Sequence, residues 1–557
     1  LMELNAERHF SQVPATYTDH SAFPIPYRWT ATINAGLLNC CYIDEWIPGD
    51  IHRISLSHLT RMTTPVAAPF DSAFLDCYFF FVPWRLVWNH AKEFFGENTS
   101  TYWTQPTEYT IPSVNVATWT RTAGDLLHQM GITLRPTNTG DNGVINTLQM
   151  RSYQLIWNEF FRDQNLEAPI AINKADSGDT SALNTLLPVN RVHDMFGSCL
   201  PGAQKASRGV ALALEGLLPV GSIASSWSEA VLAGINNQAT PSGLIFKNGS
   251  GTAQAGNLGT NSSGAAVNTT GTNTGTNTVH PTNLAAAASA GQIDINAFRL
   301  ALQTQKVLEA LARGGSRYVE ILQSIYGVKS DDARLQRPEF IGGERWYLNM
   351  SDNVQTSESG STPLGTVGGY SKTFGKGSNG VIEYSVREHG FGICVCCIRH
   401  ERGYSQMIPK QFRRTNFFSI YNPKFAHLGE QPVFVSELCA DYAVTSTPTD
   451  PSKSVFGFQE YGYEYRYKPN IYAGQMAPGA TVDGSGDPTA LGSIWTYGDY
   501  YKAAPGLSVS FMHEGDQAIK RTLVVPTEDQ FFTQIFFSDN AVRPMPMFSV
   551  PGFVDHF

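Results

Sequence analysis

The chain is short of charge: Asp, Glu, Lys and Arg supply only 16% of its 557 residues, where about a quarter is usual. A surface so poor in ions suits broad contact with other protein. The shortage is lopsided, with 39 Lys and Arg against 48 Asp and Glu and a formal net charge of −9. That excludes a protein coated in positive potential and leaves room only for a local basic patch. Cysteine is sparse as well. Eight in so long a chain are too few for a disulfide scaffold, and a reducing compartment is the simpler expectation. No apolar run reaches the roughly 18 residues of a membrane span. Even FLDCYFFFVPWRLVW is broken by Asp76, Pro83 and Arg85. The opening residues, LMELNAERHF, lack the basic start and apolar stretch of an export signal, so a soluble protein made inside the cell is expected, with Leu1 not taken as the natural start.

Catalytic and metal-binding motifs are equally scarce. Gly375, Gly377 and Gly380 fit G-x-G-x-x-G, but a strand pattern, VIEYSV, follows where a dinucleotide fold needs a helix. His400-Glu401 starts like a zinc-protease motif, yet Tyr404 stands where the second histidine belongs. Cys394, Cys396 and Cys397 cluster in GFGICVCCIR, but a strand puts Cys397 on the face opposite the other two, which is poor geometry for closing around one ion. Small buried hydrophobes are the expected role. Asp483, Ser485 and Asp487 lack the loop length and terminal Glu of a calcium loop and suit a polar turn. There is no G-x-S-x-G elbow and no Ser, His and Asp spacing that favours a triad. The sequence therefore points to no enzyme, no catalytic residue, no metal and no cofactor.

What is present is apolar and aromatic. Hydrophobic residues make up 42%, aromatics 12%, and 50 Gly and 31 Pro punctuate short β-branched and aromatic runs, which favours an all-β body with long loops. Candidate strands are YRWTATINA, DIHRISLSHLTRM and FLDCYFFFV between Tyr27 and Val82, then Val381 to Arg399, Val433 to Leu438 and Phe531 to Phe537. Trp84 to Phe95 and Met150 to Phe161 space apolar residues three and four apart, as short amphipathic helices do. In VFGFQEYGYEYRYKP, Tyr461, Tyr463, Tyr465 and Tyr467 recur at every second position, which predicts a strand with a tyrosine rib along one face for packing or interface contact. Residues 221–291 are rich in Gly, Ser, Thr, Asn and Ala, with too few large apolar groups for a core, and read as an insertion or surface projection. A helix over 293–313 follows, with Asp294 to cap it and Gly314-Gly315 to end it. One sheet domain spanning 1–557 with a large interruption fits this order best.

One basic stretch remains, RHERGYSQMIPKQFRR, in which Arg399, Arg402, Lys410, Arg413 and Arg414 are interleaved with Tyr404 and Phe412. Such a patch can neutralise phosphates and stack unpaired bases, and it is the candidate DNA-facing surface. A solvated loop or subunit contact is the bland alternative. A β-rich carbohydrate-binding or adhesive surface protein is the rival function, with the tyrosine rib stacking on sugar rings, and a glycan-active enzyme on a β scaffold is a third class.

Longer segments carry a resemblance. HFSQVP at His9 to Pro14, INAGLLNCCYIDEWIPGD at Ile33 to Asp50, and the block from Ser72 to Asn98 lie near the front. YQLIWNEFFRDQNL, GSCLPGAQK and the block from Gln303 to Gly343 follow, and FAHLGEQPV, the tyrosine segment and RPMPMFSVPGFVDHF close the chain. In this order the blocks resemble the major capsid protein of gokushoviruses, small single-stranded DNA bacteriophages of the Microviridae. The chain departs from that pattern at LNCCY, where a prolyl apolar stretch is usual, and at Gly462, where a bulkier residue is more common. The resemblance implies an eight-stranded antiparallel jelly roll of the viral capsid type, with long loop insertions and a few short helices. It implies self-association through pentamers into an icosahedral shell around the single-stranded DNA genome, a small basic DNA-packaging protein as partner, and no membrane insertion. It further implies that residues 221–291 form a variable protrusion near the threefold axes, available to a host-cell receptor, and that assembly in the bacterial host cytoplasm yields the virion.

Overall fold

The computed structural model describes residues 19–97, 109–205 except 120–121 and 133–142, and 295–548 except 316, 358–363, 366, 371, 378–379, 440–453, 479–490 and 502–503, with the backbone of short strands between 220 and 286. Two antiparallel sheets are built by β1 (Ser21–Ile33), β2 (Asn39–Trp46), β3 (Ile51–Met62), β4 (Ala73–Pro83), β5 (Glu339–Leu348), β6 (Thr373–Lys376), β7 (Ile382–Ser385), β8 (Gly390–His400) and, near the end, β9 (Phe531–Arg543). The first sheet runs β1-β9-β3 with β6 and β7 both along the far edge of β3, and the second runs β5-β4-β8-β2. Each sheet thus has four strand positions. Because β1, β2, β3 and β4 alternate between sheets, the chain wraps both around a shared core, which is the jelly-roll arrangement.

The two sheets differ in how they meet water. β9 alternates buried and exposed positions, as a strand with one solvated face should. In β4 every residue but Tyr78 is buried, and in β8 every residue but Arg399. One face of this pair, with Leu75, Phe79 and Ile398, enters the core between the sheets and meets Trp29, Leu56 and Ile535. The opposite face, with Phe80, Val82, Ile393 and Val395, lies under Trp84, Trp88 and the helix α1 (Leu148–Ile156). That cover is fastened by polar contacts. The buried Arg151 guanidinium donates to Asp179 at 2.6 Å and to the carbonyls of Val87 and Ala175, and Tyr153 Oη donates to the Leu38 carbonyl at 2.7 Å.

A second tie joins the sheets directly. The Trp46 ring of β2 stacks on His52 of β3 with centroids 4.1 Å apart, and His52 Nδ1 lies 2.7 Å from Asp539 of β9. Gly392 of β8 makes the space for Trp46, since a Cβ there would lie 2.2 Å from the indole.

Several expectations are met and others corrected. β1, β3 and β4 fall where the three frontal strands are expected, but β2 has no period-two alternation and escapes a pattern search. The helix expected over Trp84 to Phe95 is two single turns, Trp84–Val87 and Ala91–Phe94. Trp88 between them is extended because its buried ring turns inward, with the indole N–H donating to Asp176 at 2.7 Å. The 3.6-residue pattern of Met150 to Phe161 is α1 followed by a π turn over Trp157–Phe161. The helix expected over 293–313 spans Ile295–Arg313 and ends at Gly314-Gly315, with Gly315 at φ +91°. Asp294 lies outside the described residues.

By its contacts the chain divides into two compact units, Leu1–Lys205 with Glu309–Phe557, and Ala206–Leu308. In the second, Ala253–Asn261 pairs antiparallel with Gly264–Thr269 and with Ile245–Lys247. The remainder of the low-complexity stretch falls largely outside the described residues.

The Trp46 pocket generates a prediction. Gly392→Ala must displace the indole and should destabilise the fold by about 1–3 kcal/mol. Gly515→Ala, with open space around its Cβ, should fall within about 0.5 kcal/mol of wild type. Urea midpoints of the two variants check this, and equal midpoints would refute the packing role of Gly392.

Candidate assembly and nucleic-acid surfaces

The basic stretch begins on β8 and continues into the loop after it. Arg399 donates to the Tyr78 hydroxyl at 2.9 Å and to the buried Asp76 carboxylate, which Arg345 also grips at 2.6 Å. Arg402 is more deeply committed. Its two terminal nitrogens reach Asp499 at 2.7 Å and Glu514 at 2.9 Å, and only 7% of its side chain is exposed. His400 Nδ1 lies 2.5 Å from the other Glu514 oxygen. Burial raises the Glu514 carboxyl, but His400 and Arg402 more than offset that and bring it down to about 2. Asp499 is likewise held below the usual carboxylate range, with burial opposing and Arg402 and Arg191 prevailing. Arg191 in turn stacks over Phe511 at 4.4 Å and contacts Asp194 and Tyr404.

Lys410, Arg413 and Arg414 sit further along, about a 3-10 turn over Lys410–Arg413. Arg414 donates to Glu464 at 3.0 Å and Lys410 Nζ lies 3.5 Å from the same carboxylate. Lys410 also lies over the Tyr463 ring at 4.3 Å, Arg414 over Tyr465 at 4.8 Å and Arg413 over Phe434 at 6.0 Å. The five basic residues therefore do not make one open face. Arg399 and Arg402 neutralise buried carboxylates inside the fold, and the candidate DNA-facing surface narrows to Lys410, Arg413 and Arg414.

The tyrosine rib is corrected. The strand Val455–Glu460 pairs antiparallel with Glu430–Phe434 and ends before the repeat begins. Gly462 turns the chain at φ +80°, and Tyr463–Tyr465 form a 3-10 turn. A Cβ on Gly462 would come within 2.8 Å of the Tyr421 ring, so both its conformation and its neighbour favour glycine. The tyrosines consequently scatter. Tyr463 is buried and donates to Glu437 at 2.8 Å, Tyr461 stacks on Tyr421 at 5.2 Å, and Tyr465 and Tyr467 are about half exposed. Alternation alone could not reveal this, because a glycine at φ +80° breaks the very backbone that the alternation assumes.

An aromatic surface that no strand or helix period marks adjoins them. Phe417 meets Phe418 at 5.5 Å, Phe418 meets Phe425 at 6.3 Å, Phe425 meets Tyr461 at 6.5 Å, and Tyr421 meets Tyr465 at 5.8 Å. These rings form a continuous aromatic ladder, yet Phe417 and Phe418 are each 70% exposed. The signal in sequence was FRRTNFFSIYNPKF, an aromatic run without strand or helix period.

The discarded motifs take structural roles. Gly375 lies on β6, where a Cβ would meet His58 and Trp346, and the next element is β7, not a helix. His400 lies on a strand and serves the Glu514 pair. Asp483, Ser485 and Asp487 lie outside the described residues. Among the described residues no helix is long and apolar enough to cross a membrane.

A jelly roll with long connections and bare aromatic surface belongs to a class of β-sandwich used by capsid and lectin subunits. Within that class the chain belongs to the capsid protein (F protein) family, whose pattern matches residues 11–553. It is 32% identical to capsid protein VP1 of Spiroplasma virus 4 over 576 residues, covering 99% of each chain. It is also 32% identical to VP1 of Bdellovibrio phage phiMH2K, over 99% of this chain and 98% of that one, and 30% identical to VP1 of Chlamydia phage 1, over 98% of each. These are gokushoviruses of the Microviridae. The chain is thus a major capsid protein of a small bacteriophage and a component of the virion.

The Glu514 site fixes an acid response. A carboxyl whose folded value is lowered stabilises the fold above its ordinary value of 4.5 and loses that contribution as pH falls toward about 2. The contribution at neutral pH is about 3 kcal/mol. Glu514→Gln should lower the unfolding free energy at pH 7 by about 3–5 kcal/mol, because Arg402 and His400 lose a buried partner. It should also flatten the decline between pH 4.5 and 2. Thermal unfolding across that range measures both, and an acid limb unchanged in the variant would show that Glu514 does not drive it.

Proposed function

We propose that copies of this chain tile a closed icosahedral shell, built through pentamers, around a single-stranded DNA genome. The observation that carries the proposal is the aromatic ladder with its flank: Phe412, Phe417 and Phe418 are each at least 70% exposed, and Ile420 and Leu428 are each at least half exposed. Apolar surface of this extent is rimmed by the ion pairs of Glu464 and matches the make-up of a subunit interface, with an aromatic centre and a charged edge. A second copy of the chain is the occupant that fits a capsid protein. Many such contacts summed around a shell hold it together even where each is weak.

Lys410, Arg413 and Arg414 are proposed to meet the genome, in competition with Glu464 for Lys410 and Arg414. A net charge of −9 leaves most of the DNA charge to other cations, which supports a small basic packaging protein as partner. Host-receptor contact is assigned to residues 221–291, whose small polar composition tolerates change without burdening a core. Assembly would take place in the bacterial host cytoplasm.

Sedimentation and electron microscopy of expressed protein decide the central point. Wild type should give uniform closed particles. Phe417→Asp with Phe418→Asp should leave unfolding temperature within a few degrees of wild type and abolish particles, because both rings are exposed in the lone subunit. Wild-type particle yield from the double variant would remove the ladder as an interface, and a monodisperse wild-type monomer that binds glycans would remove the shell.

A further inference from the structure

Spacing along one strand separates the cysteines, whereas the fold gathers four of them from three strands. Cys394 and Cys396 share a face of β8. Cys77 of β4 stands directly across from Cys396, and Cys41 of β2 occupies the register break opposite Cys394 and Val395. All four belong to the core between the sheets, while Cys40 and Cys397 point to the opposite face. Each of the four is at most 1% exposed and none is in a disulfide. The Sγ atoms of Cys41, Cys77 and Cys394 lie within 4.8 Å of one another.

We propose that Cys41, Cys77 and Cys394, with Cys396 beside them as a fourth sulfur, hold one thiophilic d10 ion, Zn2+ or Cu+, between the two sheets. Tetrahedral zinc with bonds of about 2.3 Å needs sulfurs about 3.8 Å apart, a closure that small side-chain rotations from the present spacing supply. Trigonal Cu+ would be served by three of them. A single buried thiol packs as a small hydrophobe, whereas four on one face of three adjacent strands bring three sulfurs within reach of one ion. Each ligating thiol gives up its proton to solvent as the sulfur–metal bond forms, and no redox step is involved. Since the sulfurs are sealed from water, the ion enters during folding, before the sheets close.

Elemental mass spectrometry of chelator-free particles should find about one zinc or copper per chain, and which element is found identifies the ion. Cys77→Ala and Cys394→Ala should lose it, whereas Cys397→Ala, on the other face of the same strand, should keep it. Unfolded wild-type chain refolded with Co2+ and cleared of free metal should show thiolate-to-metal charge-transfer absorption. Fewer than about one ion in ten chains, together with no such absorption, overturns the proposal and leaves four packed thiols. Should the alanine variants fail to fold, the wild-type metal count and Co2+ spectrum decide alone.

Discussion

Burial of both faces of the β4 and β8 pair is the constraint from which the rest of the subunit follows. A sheet covered on one side only would need polar residues at alternate positions, and these strands have almost none. The first sheet covers one face. The other requires a second layer, which the long connection after β4 supplies through Trp84, Trp88 and α1. Much of the chain that a strand count would dismiss as loop is therefore structural lining. Its buried Arg151 is matched with carbonyl and carboxylate partners, as a charge removed from water must be.

The scarcity of charge acquires a physical meaning in this setting. Arg399 and Arg402, which look like a nucleic-acid patch in sequence, sit where β8 leaves the sheet and meet carboxylates brought from distant segments, Asp76, Asp499 and Glu514. Such pairs do little for net stability relative to apolar packing but are costly to break singly, so they fix which loops meet. Phe417 and Phe418 of the aromatic ladder, by contrast, stay exposed.

Legibility in the sequence followed the range of the forces involved. β3 and the helix ending at Gly314 are readable because alternation or a 3.6-residue period is written locally. β2 is not, since its pattern reflects neighbours on both sides, and the tyrosine segment misleads because Gly462 at φ +80° overrides the alternation around it. The resemblance blocks identified the family because they report the whole chain at once. The basic stretch was only partly legible: the positions of its arginines are evident, but Arg402 finds its carboxylate partners about a hundred residues away and Arg414 finds Glu464 50 residues away. The thiol cluster is hidden for the same reason, with Cys41, Cys77 and Cys394 drawn from three separate strands.

Strand β9, at the centre of the first sheet between β1 and β3, is Phe531–Arg543, while its partner β1 is Ser21–Ile33. A ribosome must therefore deliver the chain from Ser21 through Arg543 before that layer gains its middle member. Until then β1 and β3 have no strand to join them, and the hydrophobic interior lacks one wall. A copy cut short of Phe531 thus leaves β1 and β3 without the strand that joins them, and the timing of synthesis decides when the layer can close.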